Sequence, residues 1–516
     1  MDHFSIKYAI VATLFFLMIA KYDIHMFQLS SYRYSRYFRW LVPGNIAGIK
    51  RIMALAMLGT AFIPGYFGSG FATGITAAGW FYCFGEKFKT PLAYTMRVKR
   101  LFITNILLFV AIEVVAILFA GEWAKVIIGA ALLLSNMLML LANLLNTPIE
   151  KGINRHYYND AKRIIESNRN LIVIGVTGSF GKTSTKNYLA NILAEKYNIL
   201  VTPGNFNTLL GVIRTIREQL RPYHQVFIVE MGAKQRNDIK EICDLVHPSI
   251  GIVTAVGEMH LETFKSVENI QDTKFELINS LAANGLGVIN WDSEYIKNYN
   301  GIVSPCKVIR YSTKGEGDYN ASDIQYGANG VSFTLDNGEK YNSHLLGAGN
   351  LLNILAAVAV ADHLGVPANK QKNAISRLQP VEHRLSMKVA NGITVLDDAY
   401  NSNPQGARMA LEVLKNFAVG KDNKRIVITP GFVEMGVRQA EANRGLGEVI
   451  AVSCDYAIVV NTTNREAIKE GIEKGRMDCG KVFYADSLNQ AHAHLAQILR
   501  AGDVVLYEND LPDNFK

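Results

Sequence analysis

The sequence predicts a helical transmembrane domain followed by α/β domains, and three observations carry that prediction. Apolar residues make up 49% of the 516 positions, and a mean hydropathy of +0.11 is high for a wholly soluble protein. The excess is concentrated in the first 146 positions, after which composition is ordinary with mixed charges. From about residue 170 onward, short apolar runs alternate with amphipathic helical patterns, as in buried parallel sheets. Finally, "GVTGSFGKTST" (175–185) joins the apolar run "LIVI" to a helical pattern and reads as a phosphate-binding loop.

The membrane half comes first. "YAIVATLFFLMIA" (8–20) is followed by no small-residue cleavage site, so it reads as an uncleaved first span. Further apolar segments run roughly over 52–66, 70–84, 101–120 and 124–145, the second and third spans being short and glycine-rich. Five spans is the leading count, and three if the short pair forms a re-entrant hairpin. Lys21, Arg33, Arg36, Arg39, Lys50 and Arg51 lie between spans one and two, and Lys87, Lys89, Arg97, Lys99 and Arg100 between spans three and four. The positive-inside rule then puts the N-terminus outside and everything after residue 146 in the cytoplasm. These basic flanks also account for much of the net charge of +8, which points to a membrane surface and not to nucleic acid. Two features stay open. "SYRYSRYFRW" (31–40) is either an aromatic belt with basic anchors or a site for lipid phosphate. Glu113, mid-span, needs either a buried partner or a polar headgroup cavity.

Five scattered cysteines make no CxxC or Cys/His cluster, which disfavours structural zinc or a disulfide framework. In the cytoplasmic half, "LIVIGVT", "QVFIVEMGA", "IGIVTAV" and "GLGVINW" read as strands, then "GITVLDDAY", "RIVITPG", "YAIVVNT" and "GDVVLYEN". Ligands of parallel sheets gather at the carboxyl ends of strands. After the first run comes the phosphate loop, in which five residues separate Gly175 from Gly181, one more than the ordinary Walker spacing allows. Lys182 would reach phosphate oxygens and Thr183 would ligate magnesium. Glu230 ends the second run, as a magnesium carboxylate would. His260, after the third, is either a helix-start histidine or a ligand.

The segments "GVTGSFGKTSTK", "TPGNFNTLLGV", "VEMGA", "TAVGEMHLETF", "DTKFE", "GAGNLLNILAAVAVA", "EHRL" and "DDAYNSNP" occur in the order and at about the spacings of the Mur ligases, so that residues 165–516 resemble that family, most nearly its MurF type. The resemblance implies a central P-loop ATPase domain over 147–382 and a Rossmann-like α/β domain over 383–516, behind the transmembrane domain of 1–146. It further implies that ATP lies on Gly178, Ser179, Phe180, Gly181, Lys182, Thr183 and Ser184. Two magnesium ions would be held through Thr183, Glu230 and His260. Lys274 falls at a lysine that is carbamylated in the family, Asn350 and Asn353 at adenine-side contacts, and Arg384 at a phosphate contact. Asp398, Tyr400, Asn401 and Asn403 fall in its nucleotide and interdomain segment. Lys182, Lys274, His260 and Arg384 would then be the catalytic set.

The chemistry implied is attack of a carboxylate on the γ-phosphate, giving an acyl phosphate that an amine displaces to form an amide; such transfer needs positioning and charge neutralisation. Where the MurF type has a soluble UDP-sugar domain, this chain has membrane spans. The carboxylate acceptor is therefore expected to be lipid-linked, and the second substrate an amino acid or short peptide, in a bacterial cell-envelope pathway. The family's "LGDMxELG" corresponds to "TPGFVEMG" (429–436), Asn443 stands where a histidine is usual, and "YENDLPDNF" replaces a Lys-Gly-Ser segment. Glu508, Asp510 and Asp513 there either favour an amine bearing extra positive charge or form a solvated tail. Alternatives are a conventional UDP-precursor ligase on an anchor, an amino-acid polymerising ligase of the poly-γ-glutamate type, and a nucleotide-dependent scaffold.

Overall fold

The computed structural model describes residues 3–42, 48–85, 88, 90–204, 206–259, 261–327, 329–400 and 403–511. His260, Asn401, Asp513, Lys87 and Lys89 lie outside them. The chain forms two compact units, one reaching to His156 and the other spanning Tyr157–Leu511.

The first unit is helical: α1 (His3–Leu29), α2 (Tyr34–Leu41), α3 (Ile49–Thr60), α4 (Gly65–Gly85), α5 (Met96–Phe119), α6 (Ala124–Leu133) and α7 (Ser135–Ser167), which continues past the unit's end. Among the described residues two helices, Ser5–Leu29 and Met96–Phe119, are long and apolar enough to cross a membrane. A third span arises if Gly121–Leu133 and Ser135–Ser167, bent by 73°, act as one. The sequence counts five, and the difference lies in α3 and α4. The 12 residues of α3 rise only about 18 Å, short of a ~30 Å hydrocarbon core. α4 is long enough at 21 residues, but six of them are glycine, which dilutes its hydropathy.

Close packing explains those glycines in part: a Cβ at Gly79 would sit 2.9 Å from the Met18 side chain, so α4 lies against α1 through a small-residue face. α1 and α5 meet where Phe16 stacks on Phe109 at 4.1 Å between centroids, and the Thr13 hydroxyl donates to Glu113 Oε2 at 2.8 Å. Glu113, 5% exposed, thus has a half-buried partner on one oxygen, while its Oε1 is buried without a hydrogen bond. Asp23, fully buried, accepts from Arg51 Nη2 at 2.6 Å and from the Ser135 hydroxyl at 2.9 Å. The aromatic residues of "SYRYSRYFRW" divide: Tyr37 is buried against Phe27 and Trp40 packs on Tyr22, whereas Phe38 and Tyr34 are exposed, the Tyr34 Oη accepting from Asn143. Ile103, Leu107, Val114 and Leu118 of α5 remain exposed, an apolar outer face suited to lipid.

The second unit holds two sheets. The first has nine strands: β1 (Ile172–Thr177), β2 (Ile199–Val201), β3 (Val226–Glu230), β4 (Ile250–Val253), β5 (Leu286–Asn290), β6 (Lys307–Ser312), β7 (Tyr319–Gly327), β8 (Gly330–Leu335) and β9 (Lys340–Ser343), in the order β2-β3-β1-β4-β5-β6-β7-β8-β9. Strands up to β7 pair in parallel, while β7, β8 and β9 form an antiparallel meander. The second sheet comprises β10 (Ser386–Ala390), β11 (Ile393–Asp398), β12 (Arg425–Thr429), β13 (Tyr456–Val460), β14 (Val482–Ala485) and β15 (Val504–Glu508), in the order β10-β11-β15-β12-β13-β14, all parallel except β10. Fully buried strands explain why the expected runs are continuous and apolar. Because β1 lies between β3 and β4, the chain reverses its direction of travel across the sheet there, and the carboxyl ends of these three strands open a crevice.

Candidate functional site

The loop 178–181 leaves β1 at that crevice and enters the helix α8 (Lys182–Leu193). Gly178 (φ 151°) and Gly181 (φ 81°) both take backbone angles that L-residues avoid. A Cβ on Gly178 would also run into Thr254 Oγ1, so the loop's backbone lies against β4's carboxyl end. Ser179 N donates to Ala255 O at 2.8 Å and its hydroxyl accepts from Gly257 N at 3.0 Å, fixing the loop to the segment after β4. Gly178→Ala is expected to cost about 1–3 kcal/mol from the strained backbone and to abolish nucleotide binding, read by thermal unfolding with and without ATP. Lys182 Nζ donates to Gly178 O at 2.7 Å and Ser179 O at 3.0 Å, curling back over the loop. Burial pulls its pKa down to about 8, with Glu230 opposing and Arg384 adding to the shift. Thr183 follows in the first turn, and Ser184 faces the cleft beside the loop.

Glu230 ends β3, 1% exposed. Its Oε1 accepts from Asn207 Nδ2 at 3.0 Å, while its Oε2 lies 3.1 Å from Lys186 Nζ yet takes part in no hydrogen bond. Burial alone would raise its pKa, but Lys186, Lys182 and the Asn207 bond outweigh it and hold the carboxyl below its ordinary value. Lys186 also donates to Thr202 O and Gly204 O, both at 2.8 Å. Neither Lys186 nor Asn207 was assigned a role from sequence. A lysine one helical turn beyond Lys182 in "GKTSTK" was the available signal for the first, and "TPGNFN" for the second.

Lys274 lies on the helix Val267–Asn279 and is 3% exposed. Burial, reinforced by the charge of Lys182, pulls its pKa down to about 7. Across the crevice an open cleft is lined by Phe180, Gly181, Ser184, Asn350, Asn353, Arg384, Asp398, Tyr400 and Asn403. Asn353 Oδ1 accepts from Thr185, and Asn350 Oδ1 from Tyr188 at 2.8 Å, so both amides are held by α8. The Arg384 guanidinium stands 4.5 Å from the Tyr400 ring centroid. Burial pushes the Asp398 carboxyl up to about 6 against the pull of Arg384. Asn403 caps the helix Pro404–Asn416, its Oδ1 accepting from Gln405 N and Gly406 N. Asn403→Ala should therefore lower stability by about 1 kcal/mol, measured as a fall in the denaturation midpoint.

Asn443 is fully buried and grips the loop after β12, accepting from Phe432 N at 2.8 Å and donating to Phe432 O at 3.0 Å. It is a latch for "TPGFVEMG" and contacts no part of the cleft's lining. Glu508 is fully buried at the end of β15, so the solvated-tail expectation fails for this residue, whereas Asp510 is exposed.

Among the described residues no three His, Cys, Asp or Glu side chains group to hold a metal by themselves. Magnesium at phosphate sites needs only one or two protein ligands. The hydrogen-bond-free, buried Oε2 of Glu230 beside the glycine-lined loop fits that requirement.

A parallel sheet with a phosphate loop at its reversal point, faced across a cleft by a second α/β domain, defines a P-loop nucleotide-binding protein of two α/β domains. Comparison with known proteins narrows the class. The family description "Mur ligase middle domain" matches residues 176–361, and "Mur ligase, glutamate ligase domain" matches 383–507. A UDP-N-acetylmuramoyl-tripeptide–D-alanyl-D-alanine ligase of Haemophilus influenzae is 30% identical over 351 residues, covering 66% of this chain and 72% of that one. The Bacillus subtilis enzyme of the same name is 28% identical over 281 residues, and there the match spans only 60% of the relative's length. The structure of MurF ligase from Thermotoga maritima in complex with ADP superposes with a TM-score of 0.61 at 26% identity, covering 69% of this chain and 80% of that one. The chain belongs to the Mur ligase family.

Proposed function

We propose that this protein is a membrane-anchored, ATP-dependent amide ligase that joins the amine of an amino acid or short peptide to a carboxylate of a lipid-linked cell-envelope precursor. The observation that carries the reading is the convergence of Lys182, Glu230 and Lys274 at one crevice, facing Arg384 across the cleft. ATP with magnesium would supply an activated phosphoryl group and charge neutralisation there.

The chain's own groups divide the remaining work. The loop glycines and the α8 N-terminus present N–H groups to phosphate oxygens. Lys182 exchanges its loop carbonyls for phosphate, and Arg384 closes from the second domain on the developing charge. Glu230 and Thr183 would hold the metal, and His260 would serve a second ion. The Lys274 amine, whose pKa burial draws down to about 7, would add to carbon dioxide and release a proton to solvent, leaving a carbamate that supplies a carboxylate to the metal site. Asn350 and Asn353 flank the adenine. The domain division at 147–382 and 383–516 gives each side of the cleft to one domain.

The apolar α1 and α5, with Gly121–Leu133 and Ser135–Ser167 acting together as a third span, support a multi-pass bacterial membrane protein whose odd number of crossings places the N-terminus outside and the ligase in the cytoplasm. A conventional ligase on an anchor is the second reading, favoured by relatives whose names specify a UDP-linked tripeptide. Turnover by detergent-solubilised protein on polyprenyl-linked and UDP-linked acceptors separates the two. We expect at least tenfold higher kcat/KM on the lipid-linked compound, and a preference for the soluble one would establish the second reading.

A further inference from the structure

We infer that Lys186 excludes free divalent metal from Glu230, so that the metal enters only together with nucleotide. The inference deepens the ATP-dependent reading and rests on it. Lys186 is 1% exposed and its Nζ is held at three points: Thr202 O, Gly204 O and, at 3.1 Å, Glu230 Oε2. The other carboxylate oxygen is occupied by Asn207. The only oxygen of Glu230 without a hydrogen bond therefore already has a fixed ammonium beside it.

The wider charge balance points the same way. Glu230 feels the ammonium groups of both Lys186 and Lys182, and Arg384 repels Lys182 from across the cleft, so the fixed charges nearest this carboxylate are cations. A divalent cation approaching Oε2 meets the Lys186 ammonium 3.1 Å from that oxygen, and the Lys182 charge behind it, in a poorly solvated site. The polyphosphate of a nucleotide reverses that balance, after which a metal bridging phosphate and Glu230 is favoured. Lys186 is pinned by two carbonyls and cannot swing aside, so it acts as a positioning residue on both sides of this exchange: it holds the carboxylate in register and sets the order of entry.

Mn²⁺ serves as the probe, with loss of its free electron-paramagnetic-resonance signal as the readout, on full-length protein in detergent. A Glu230→Gln variant defines the background from other sites. The wild-type protein should show no Mn²⁺ binding above that background without nucleotide, and stoichiometric binding when a non-hydrolysable ATP analogue is added. Lys186→Met, similar in length but uncharged, should bind Mn²⁺ without nucleotide at least tenfold more tightly than wild type, and Lys186→Arg should behave as wild type. Nucleotide-free wild-type binding that Glu230→Gln removes would overturn the inference, and this arm needs no Lys186 variant to fold. So would a well-folded Lys186→Met protein with unchanged nucleotide-free affinity. Absence of Mn²⁺ binding even with the ATP analogue would instead overturn the ATP-dependent reading.

Discussion

Lys182→Met lowers ATP-dependent phosphate release by about a thousandfold, the expected result of removing one preorganised cation from a phosphoryl-transfer site. Among the described residues the ammonium hydrogen-bonds to the backbone of its own loop, at Gly178 O and Ser179 O, so the fold should tolerate methionine. The substitution also relieves a buried cation whose pKa is already drawn down to about 8, and thermal stability should hold or rise slightly at neutral pH. Phosphate release in the presence of both substrates, with unfolding monitored in parallel, checks both halves. Activity within tenfold of wild type would remove Lys182 from the reaction and favour a nucleotide-dependent scaffold.

The second large effect is at Lys274. Its folded pKa of about 7 lies below the ordinary 10.5, so between those values the unfolded chain binds one more proton than the native one at this site. Its contribution to stability therefore increases as pH rises from about 7 to 10.5 and is unfavourable below that window. Carbamylation requires the neutral amine, so activity should climb through pH 7 and, below saturation, with added bicarbonate. Lys274→Ala should lose about a hundredfold or more in kcat, and short carboxylic acids should restore part of it by placing a carboxylate in the vacated space. A variant that is inactive but indifferent to both bicarbonate and carboxylic acids would leave Lys274 a buried structural amine.

The parts legible in the sequence are those written in local pattern. The runs that became β1, β3, β4, β5, β12, β13 and β15 are apolar because both faces are covered, β11 is legible although half-buried, and the phosphate loop is marked by glycines that its backbone angles require. The meander β7–β9 was not read, because β7, "YNASDIQYG", is largely exposed and carries no continuous apolar run. The membrane half was read as five segments by hydropathy alone, which is blind to helix length and to the 73° break before Ser135. Within the site, Lys182, Glu230 and Lys274 could be named from motif, but the tie of Lys186 to Glu230 and two loop carbonyls exists only in three dimensions. Asn443 shows the converse: a position aligned with a family histidine is a loop latch here, set by its contacts with Phe432.

The placement of β15 has a consequence for synthesis. It is inserted between β11 and β12, with Asp398 in register with Glu508, a partner translated roughly a hundred residues later. A ribosome that has completed the phosphate loop, Glu230 and Lys274 has still made only an open-edged second sheet, with the strand bearing Asp398 paired on one side alone. The half of the cleft that this strand carries closes only when β15 arrives. Premature termination or slow translation through this stretch should leave a nascent chain with an assembled phosphate loop and an exposed sheet edge, a natural substrate for chaperones and proteases.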